Sequence, residues 1–143
     1  MIVRKFRKED AKNVWKVMKK SIKIMVLRSG DVYSFWDFYY FSPRVVEFLS
    51  HHREIYVAEE DGRIVGTAGL DGGSVLGVYV HPRFSGKGIG GKLLKKLEEV
   101  AKKRGCKELR TLAALGAVDF YEKVGFKIDV KISHFILMRK KLK

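Results

Sequence analysis

The stretch VYVHPRFSGKGIGGKLL, residues 78–94, runs from an apolar segment through four glycines in six positions into a row of leucines and lysines. Glycines 86, 88 and 91 satisfy the pattern Gly-x-Gly-x-x-Gly, which occurs in phosphate-binding loops. The start of a helix is electrostatically positive, and glycine lets backbone N–H groups approach an anion without a side chain in between. The stretch therefore predicts an anion site made of the main-chain amides of residues 85–90. A simple flexible turn is the alternative.

The two best-known glycine motifs do not fit this loop. In a dinucleotide-binding fold the first glycine follows its strand directly, and an acidic residue ends the next strand about 20 residues later. Here the residues HPRFS separate Val80 from Gly86, and Glu108 stands at the start of the next predicted strand. No Gly-Lys-Ser/Thr triplet is present, which excludes the Walker pattern. The predicted cradle therefore belongs to another class of phosphate site.

Hydrophobic periodicity predicts a single α/β domain over residues 1–143. The expected order of elements is β-α-α-β-β-β-α-β-α-β-β, in which an antiparallel meander leads into a β-α-β crossover. The predicted strands are 2–6, 54–60, 63–70, 74–80, 107–112, 126–130 and 134–138, and the predicted helices begin at residues 9, 43, 89 and 117. Gly77 interrupts the fourth strand, which indicates a β-bulge or a close approach of the backbone to a ligand.

The charge balance is strongly basic. Thirty Lys and Arg residues against sixteen Asp and Glu residues give a formal net charge of +14. Such an excess is typical of proteins that bind nucleic acid, acidic lipid or a polyanionic cofactor. The basic residues are spread along the chain, and the sequence contains no RNA-binding signature, helix-turn-helix pattern or zinc spacing. A solvated basic surface is the simpler interpretation, nucleic-acid binding is the alternative, and no metal site is predicted.

The cellular compartment is predicted from cysteine usage and hydropathy. Cys106 is the only cysteine, which rules out an internal disulfide and fits a reducing cytoplasm. No apolar run approaches the roughly 20 residues that span a bilayer. The N-terminus, MIVRKFRKEDAKN, becomes charged too early for a secretory signal. We therefore expect a cytoplasmic protein without a membrane partner.

Two segments carry a resemblance to a known family. Residues 78–94 resemble the acyl-CoA motif of the GNAT superfamily of N-acyltransferases, Gln/Arg-x-x-Gly-x-Gly/Ala, which Arg83, Gly86 and Gly88 match. AVDFYEKVGF, residues 117–126, resembles the second motif, Ala-x-x-Phe-Tyr-x-x-x-Gly-Phe. The order of predicted elements is similar to the family's over nearly the whole chain. The resemblance implies a GNAT-like α/β fold with a mixed, mostly antiparallel sheet of six to seven strands and about four helices.

The resemblance also implies an activity: transfer of an acetyl group from acetyl-CoA to a primary amine by direct attack in a ternary complex. The acceptor would be a small molecule or a peptide amino group. In this family the N–H of the residue at Val78 polarises the thioester carbonyl and the residue at Val80 pairs with the pantetheine arm. The glycine loop holds the pyrophosphate. The implied cofactor-binding residues are Val78, Val80, Arg83, Phe84, Ser85, Gly86, Lys87, Gly88, Ile89 and Gly90.

Tyr121 occupies the position of the family's proton donor to the leaving thiolate, and a core aromatic beside Phe120 is the alternative role. The general base is open. The candidates are His51, His52, Glu54, Asp71 and His134, and a water chain is a further option. Two family positions differ here, with Ser85 in place of a common arginine and Ala114 in place of a common asparagine. A non-catalytic acyl-CoA-binding sensor or scaffold of the same fold is therefore an alternative function.

An aromatic segment, VYSFWDFYYF at residues 32–41, stands between the first two predicted helices. In the family this region forms a wall of the acceptor site. Its aromatic side chains are therefore candidates for lining an acceptor pocket, and core packing or a homodimer face is the alternative. These side chains are Tyr33, Phe35, Trp36, Phe38, Tyr39 and Tyr40.

Overall fold

One seven-stranded sheet forms the frame of the computed structural model, which describes residues 1–30, 42–133 and 135–143. The strands are β1 (Ile2–Lys5), β2 (Glu54–Glu60), β3 (Arg63–Asp71), β4 (Ser74–Val80), β5 (Glu108–Ala114), β6 (Lys127–Ile132) and β7 (Phe135–Lys141). They lie side by side in the order β1-β2-β3-β4-β5-β7-β6. Every neighbouring pair is antiparallel except β4 and β5, which run parallel because a helix connects them.

Four helices lie within the described residues. They are α1 (Ala11–Ser29), α2 (Pro43–Ser50), α3 (Ile89–Lys103) and α4 (Val118–Lys123), with short 3-10 segments at Lys8–Asp10, Pro82–Phe84 and Leu115–Ala117. The predicted order of elements and the mixed α/β fold class are confirmed. The aromatic segment 32–41 and His134 lie outside the described residues. In the part of the chain that is described, no helix combines the length and apolar character needed to cross a bilayer.

The core occupies both faces of the sheet, because strand residues alternate between the faces. The side chains that α3 buries against one face are Ile89, Leu93, Leu94, Leu97 and Ala101. On the other face, Val14 and Met18 of α1 pack with Val46 of α2. The predicted strands 107–112 and 134–138 stopped short of the observed ends at Ala114 and Lys141. The two strands pair with each other along their full length, which the sequence of either strand alone does not reveal.

The parallel strands β4 and β5 separate soon after they begin to pair. Their register contains only Ser74 opposite Arg110 and Val75 opposite Thr111. On its other side β4 stays paired with β3, but the register shifts where Leu76 and Gly77 together oppose one residue. Gly77 has φ +137°, and a Cβ there would lie 2.7 Å from the Tyr79 ring. The predicted bulge at Gly77 is confirmed, and it lies at the point where β4 leaves β5.

A buried ion pair fixes the start of α1 to the edge of the sheet. Arg4 on β1 donates two hydrogen bonds to the Asp10 carboxylate, at 2.8 and 3.0 Å, and Asp10 also accepts one from the Arg7 backbone amide at 2.7 Å. Burial alone would raise the pKa of the Asp10 carboxyl. The hydrogen bonds from Arg4 and Arg7 outweigh that effect and hold this pKa below its ordinary value. The pair therefore sets where α1 begins.

We expect Asp10→Asn to lower the free energy of unfolding at pH 7 by about 2 kcal/mol, because a charge-assisted pair is lost and the half-buried Arg4 keeps only its longer contact with Glu59, at 3.5 Å. The depressed pKa of Asp10 means that its contribution is present above the ordinary carboxyl pKa and disappears as pH falls through the lowered value. The difference between the variant and the parent in urea denaturation should therefore be smaller at pH 3 than at pH 7, because the loss occurs below the ordinary carboxyl pKa. The neighbouring exposed carboxylate gives the control: Glu9→Gln should change little at either pH.

Candidate active site

Two cavities meet where β4 and β5 separate. The loop cavity, about 830 Å³, is bordered by residues 84–86 and 88–91 and by the first turn of α4. The sheet cavity, about 460 Å³, lies along β4, β5 and β7 and is bordered by α1. The residues that line both cavities are Ser21, Met25, Val78, Ala117 and Tyr121. A ligand in one cavity can reach a ligand in the other at these five residues.

The glycine loop presents free space and unpaired amides to the loop cavity. Gly86 and Gly88 have φ +79° and +78°, and a Cβ at either position would meet no atom within 4 Å. Gly88 is the N-cap of α3, and no side chain caps this end of the helix. The first intrahelical bond is donated by Lys92 to the Gly88 carbonyl, so the preceding amides of the first turn lack intrahelical partners. The geometry is that of an anion site at a helix N-terminus.

The structure brings together most of the residues predicted for the cofactor. Those that line the loop cavity are Val78, Val80, Phe84, Ser85, Gly86, Gly88, Ile89 and Gly90. Arg83 and Lys87 do not line it; both are exposed, and the Lys87 ammonium lies 5.2 Å from the centre of the Phe84 ring. The Ser85 amide donates to the Pro82 carbonyl at 3.3 Å, so it is already engaged within the loop. The amides available to an anion therefore begin after Ser85.

Gly90 has a packing function in addition to its place at the cavity. A Cβ at this position would lie 2.9 Å from the Phe120 ring and 3.6 Å from the Val78 side chain. The absence of a side chain lets the first turn of α3 approach both α4 and β4. The loop, the strand and α4 are therefore in direct contact.

The peptide groups of Val78 and Val80 face the gap between β4 and β5. The His81 amide donates to the Val65 carbonyl at 2.8 Å, and the register places Val80 opposite Gly66 and Val78 opposite Ala68. Hydrogen-bonded pairs alternate along an antiparallel ladder, so the amides of Val78 and Val80 point away from β3. The neighbour on that side would be β5, which is no longer paired at this level. These backbone groups are available to a ligand.

Tyr121 lies at the junction of the two cavities. It is 4% exposed, and its ring packs edge-on against Phe120 and Phe126 at centroid distances of 5.1 and 5.2 Å. Burial raises the pKa of the Tyr121 hydroxyl, while a hydrogen bond with the Thr111 side chain opposes that shift. The Thr111 hydroxyl donates to the Val75 carbonyl at 3.0 Å, at the point where the strands separate. The tyrosine is a core aromatic that also lines both cavities.

The base candidates do not gather at this junction. His51 and His52 are exposed in the turn after α2, and Asp71 is exposed at the end of β3. Glu54 accepts a hydrogen bond from the Tyr56 hydroxyl and pairs with Arg104. Among the described residues that line either cavity, the one carboxylate is Asp119, at the loop cavity, and there is no imidazole.

Several lining residues were missed from the sequence. Ser21, Met25 and Arg28 recur at helical spacing on α1 and border the loop cavity. Their periodicity was visible, but nothing in the sequence indicated that this stripe faces a cavity rather than the core. The remaining missed residues of the loop cavity are Ile24, Pro82, Gly91, Leu115, Gly116, Ala117, Asp119, Phe120, Lys123 and Val124. Five of them, Ala117, Asp119, Phe120, Lys123 and Val124, lie within the second motif segment, residues 117–126, and proximity to Tyr121 was the available signal.

Comparisons with known proteins identify the family to which the chain is similar. Residues 51–128 match the family model of the acetyltransferase (GNAT) domain. An acetyltransferase from Yersinia enterocolitica is 34% identical over 102 residues, which are 66% of this chain and 70% of that protein. A thialysine N-epsilon-acetyltransferase from Bos taurus is 46% identical over 52 residues. That match spans 34% of this chain and 30% of the bovine protein.

Solved structures share the fold over almost the whole chain. A GCN5-related N-acetyltransferase from Rhodopseudomonas palustris has a TM-score of 0.87 at 25% identity, covering 99% of this chain and 95% of that one. The PaiA N-acetyltransferase from Thermoplasma acidophilum, in complex with coenzyme A, has a TM-score of 0.81 at 24% identity, with 98% of each chain covered. The family model and the Yersinia relative, together with this fold, show that the chain belongs to the GNAT family of acetyltransferases.

Proposed function

We propose that this protein transfers an acetyl group from acetyl-CoA to a primary amine in a ternary complex. The observation that carries the proposal is the junction itself, where the free amides of Val78 and Val80 and the hydroxyl-bearing Tyr121 stand between two connected cavities. One cavity ends at an uncapped helix start, which suits an anion. The other leads along the sheet and offers room for an acceptor.

The residues present fit coenzyme A. A diphosphate would be bound by the amides of residues 86–90, where Gly86 and Gly88 leave the space above the backbone open. Arg28 and Lys123 line the same cavity and add positive charge. The volume of about 830 Å³ is in the ordinary range for a cofactor site. The Thermoplasma protein of the same fold is in complex with coenzyme A, and one from Salmonella typhimurium is with acetyl-CoA.

When bound, acetyl-CoA supplies an acetyl thioester whose acyl group moves to the amine. The Val78 amide is suited to donate a hydrogen bond to the carbonyl oxygen, where negative charge grows during attack. This donor needs no reorganisation, because the bulge at Gly77 and the loss of pairing with β5 already leave it free. The Val80 amide and carbonyl, two residues on, are suited to pair with an amide of the pantetheine arm.

Tyr121 is suited to donate its phenolic proton to the departing thiolate sulfur. Its pKa is raised by burial, so the hydroxyl keeps its proton across the neutral range and has it to give. The acceptor amine must lose a proton before it attacks, since an alkylamine has a pKa of about 10. Water reached through the sheet cavity is suited to take that proton, since no carboxylate or imidazole of the described residues lines this cavity. The candidate base His134 lies outside the described residues.

Free thiol released from acetyl-CoA, measured over a panel of primary amines, tests the function. We expect release that depends on the amine and gives one acetylated product per thiol. Calorimetric binding of coenzyme A without amine-dependent release would favour the sensor or scaffold alternative. Failure of coenzyme A to bind at millimolar concentration would overturn both.

Gly88→Ala should weaken binding of coenzyme A by about tenfold or more, because φ +78° is strained for alanine and the new methyl group stands where the diphosphate would lie. Gly62 in the turn between β2 and β3 has the same φ, +78°, and equally open surroundings. Gly62→Ala is therefore the matched control, with a similar loss of stability and no change in affinity. Equal affinities for the two variants in calorimetry would contradict the loop as the diphosphate site.

Tyr121→Phe should lower kcat by about 100-fold while leaving coenzyme A affinity unchanged, because only the proton donor is removed. The raised pKa predicts that the parent's rate shows no loss from tyrosine ionisation up to about pH 10. Tyr56 is also buried and has a raised pKa, but its hydroxyl donates to Glu54 and it lines neither cavity. Tyr56→Phe should keep the parent's kcat. An unchanged kcat in Tyr121→Phe at saturating amine would show that Tyr121 is not the proton donor to the thiolate.

A further inference from the structure

The sheet cavity carries a charge pattern that bears on the acceptor. Its lining combines apolar side chains with the hydroxyl-bearing residues Ser21, Ser74, Tyr79, Thr111 and Tyr121. Among the described residues of this lining there is one formally charged side chain, Arg110 on β5, and no acid. A cavity built to hold a polyamine would instead be expected to offer carboxylates to the second ammonium group.

Arg110 is left without an anionic partner by the residues around it. Within residues 1–30, 42–133 and 135–143, no carboxylate forms an ion pair with it. Its cross-strand neighbour Arg139 on β7 takes both nearby acids, with Asp129 at 2.9 Å and Glu108 at 3.6 Å. The two arginines are thus cross-strand neighbours on one face of the sheet, and Arg110, which is exposed, has no acid among the described residues as an ion-pair partner. An anion at Arg110 would therefore meet a positive charge that no described carboxylate neutralises.

The position of Arg110 matches the far end of an acceptor. Arg110 pairs with Ser74, whereas the reacting carbonyl is expected at Val78, four residues along β4. At about 3.3 Å per residue, this separation is roughly 10 to 13 Å once the bulge is allowed for. A long arginine side chain closes part of that distance. The remaining length fits an amine joined to its anionic group by a chain of several atoms.

We propose that the acceptor is a primary amine that carries an oxyanion, a carboxylate or a phosphate, at its other end, and that Arg110 binds this group. The proposal rests on the acetyl-transfer function above and names the class of its acceptor. A guanidinium group can donate two parallel hydrogen bonds to either oxyanion. Arg110 is therefore a specificity-determining residue. It takes no part in the proton transfers, which occur where the two cavities meet.

The test compares acceptors that differ only in charge at the far end. N-α-acetyl-lysine and N-α-acetyl-lysinamide have the same ε-amine, but only the first has a carboxylate. We expect kcat/KM for the acid to exceed that for the amide by about tenfold, because a charge-assisted pair is formed. A second pair, 4-aminobutyl phosphate and 4-aminobutanol, distinguishes phosphate from carboxylate as the preferred group. Equilibrium binding of all four compounds to the coenzyme A complex gives the same comparison without turnover.

Arg110→Gln should bring the acid-to-amide ratio close to one, and Arg110→Lys should leave an intermediate ratio. Arg63→Gln removes an exposed arginine that lines neither cavity and should keep the parent's ratio. The proposal is overturned if, in the parent protein, kcat/KM for the anionic acceptor does not exceed that for its neutral counterpart in either pair of compounds. It is also overturned if the preference is unchanged in Arg110→Gln. If the binding preference is present but no acceptor is acetylated, the assigned site stands and the acetyl-transfer function fails. If the amines are acetylated without preference, the function stands and the site fails.

Discussion

The early separation of β4 from β5 is the constraint on which the rest of the structure depends. Two residue pairs hold the strands together, and a bulge then turns β4 aside while β3 keeps it in the sheet. In a continuous sheet the backbone amides of Val78 and Val80 would donate hydrogen bonds to β5, and here they are left unpaired. Both cavities open from this gap, and Tyr121 reaches it from α4. Each flanking strand stays paired on its outer side, β5 with β7 along its full length and β4 with β3 on both sides of the bulge.

Much of the helix and strand layout follows from local sequence, because amphipathic periodicity and glycine positions act within single elements. The loop at 86–90 and Tyr121 were predictable for the same reason, since each lies in a short contiguous motif. Arg83 and Lys87 show the limit of that reasoning. They are next to the loop in sequence, but their exposed side chains do not line the cavity, and Arg28 and Lys123 occupy that position instead. Which cation faces a cavity depends on tertiary packing.

The residues of the acceptor side were harder to predict for a related reason. Arg110 belongs to a strand whose sequence, ELRTLAA, shows only ordinary alternation. Its significance comes from register: it stands opposite Arg139, while the two neighbouring acids pair with Arg139. Register between β5 and β7 depends on the pairing of strands from different parts of the chain. Likewise, Ser21 and Met25 gain their role only from the position of α1, which the Arg4–Asp10 pair helps to fix.

The lack of a side chain at Gly90 affects how the glycine loop and α4 are held relative to each other. Because no β-carbon separates the opening turn of α3 from the Phe120 ring, that turn rests directly on the helix that carries Tyr121. Thermal displacement of one is transmitted to the other as a rigid shift, since well-packed contacts are poorly compressible. The proposed anchor for the donor's phosphates and the proposed source of the leaving-group proton thus share one packed contact, which fixes the distance between them.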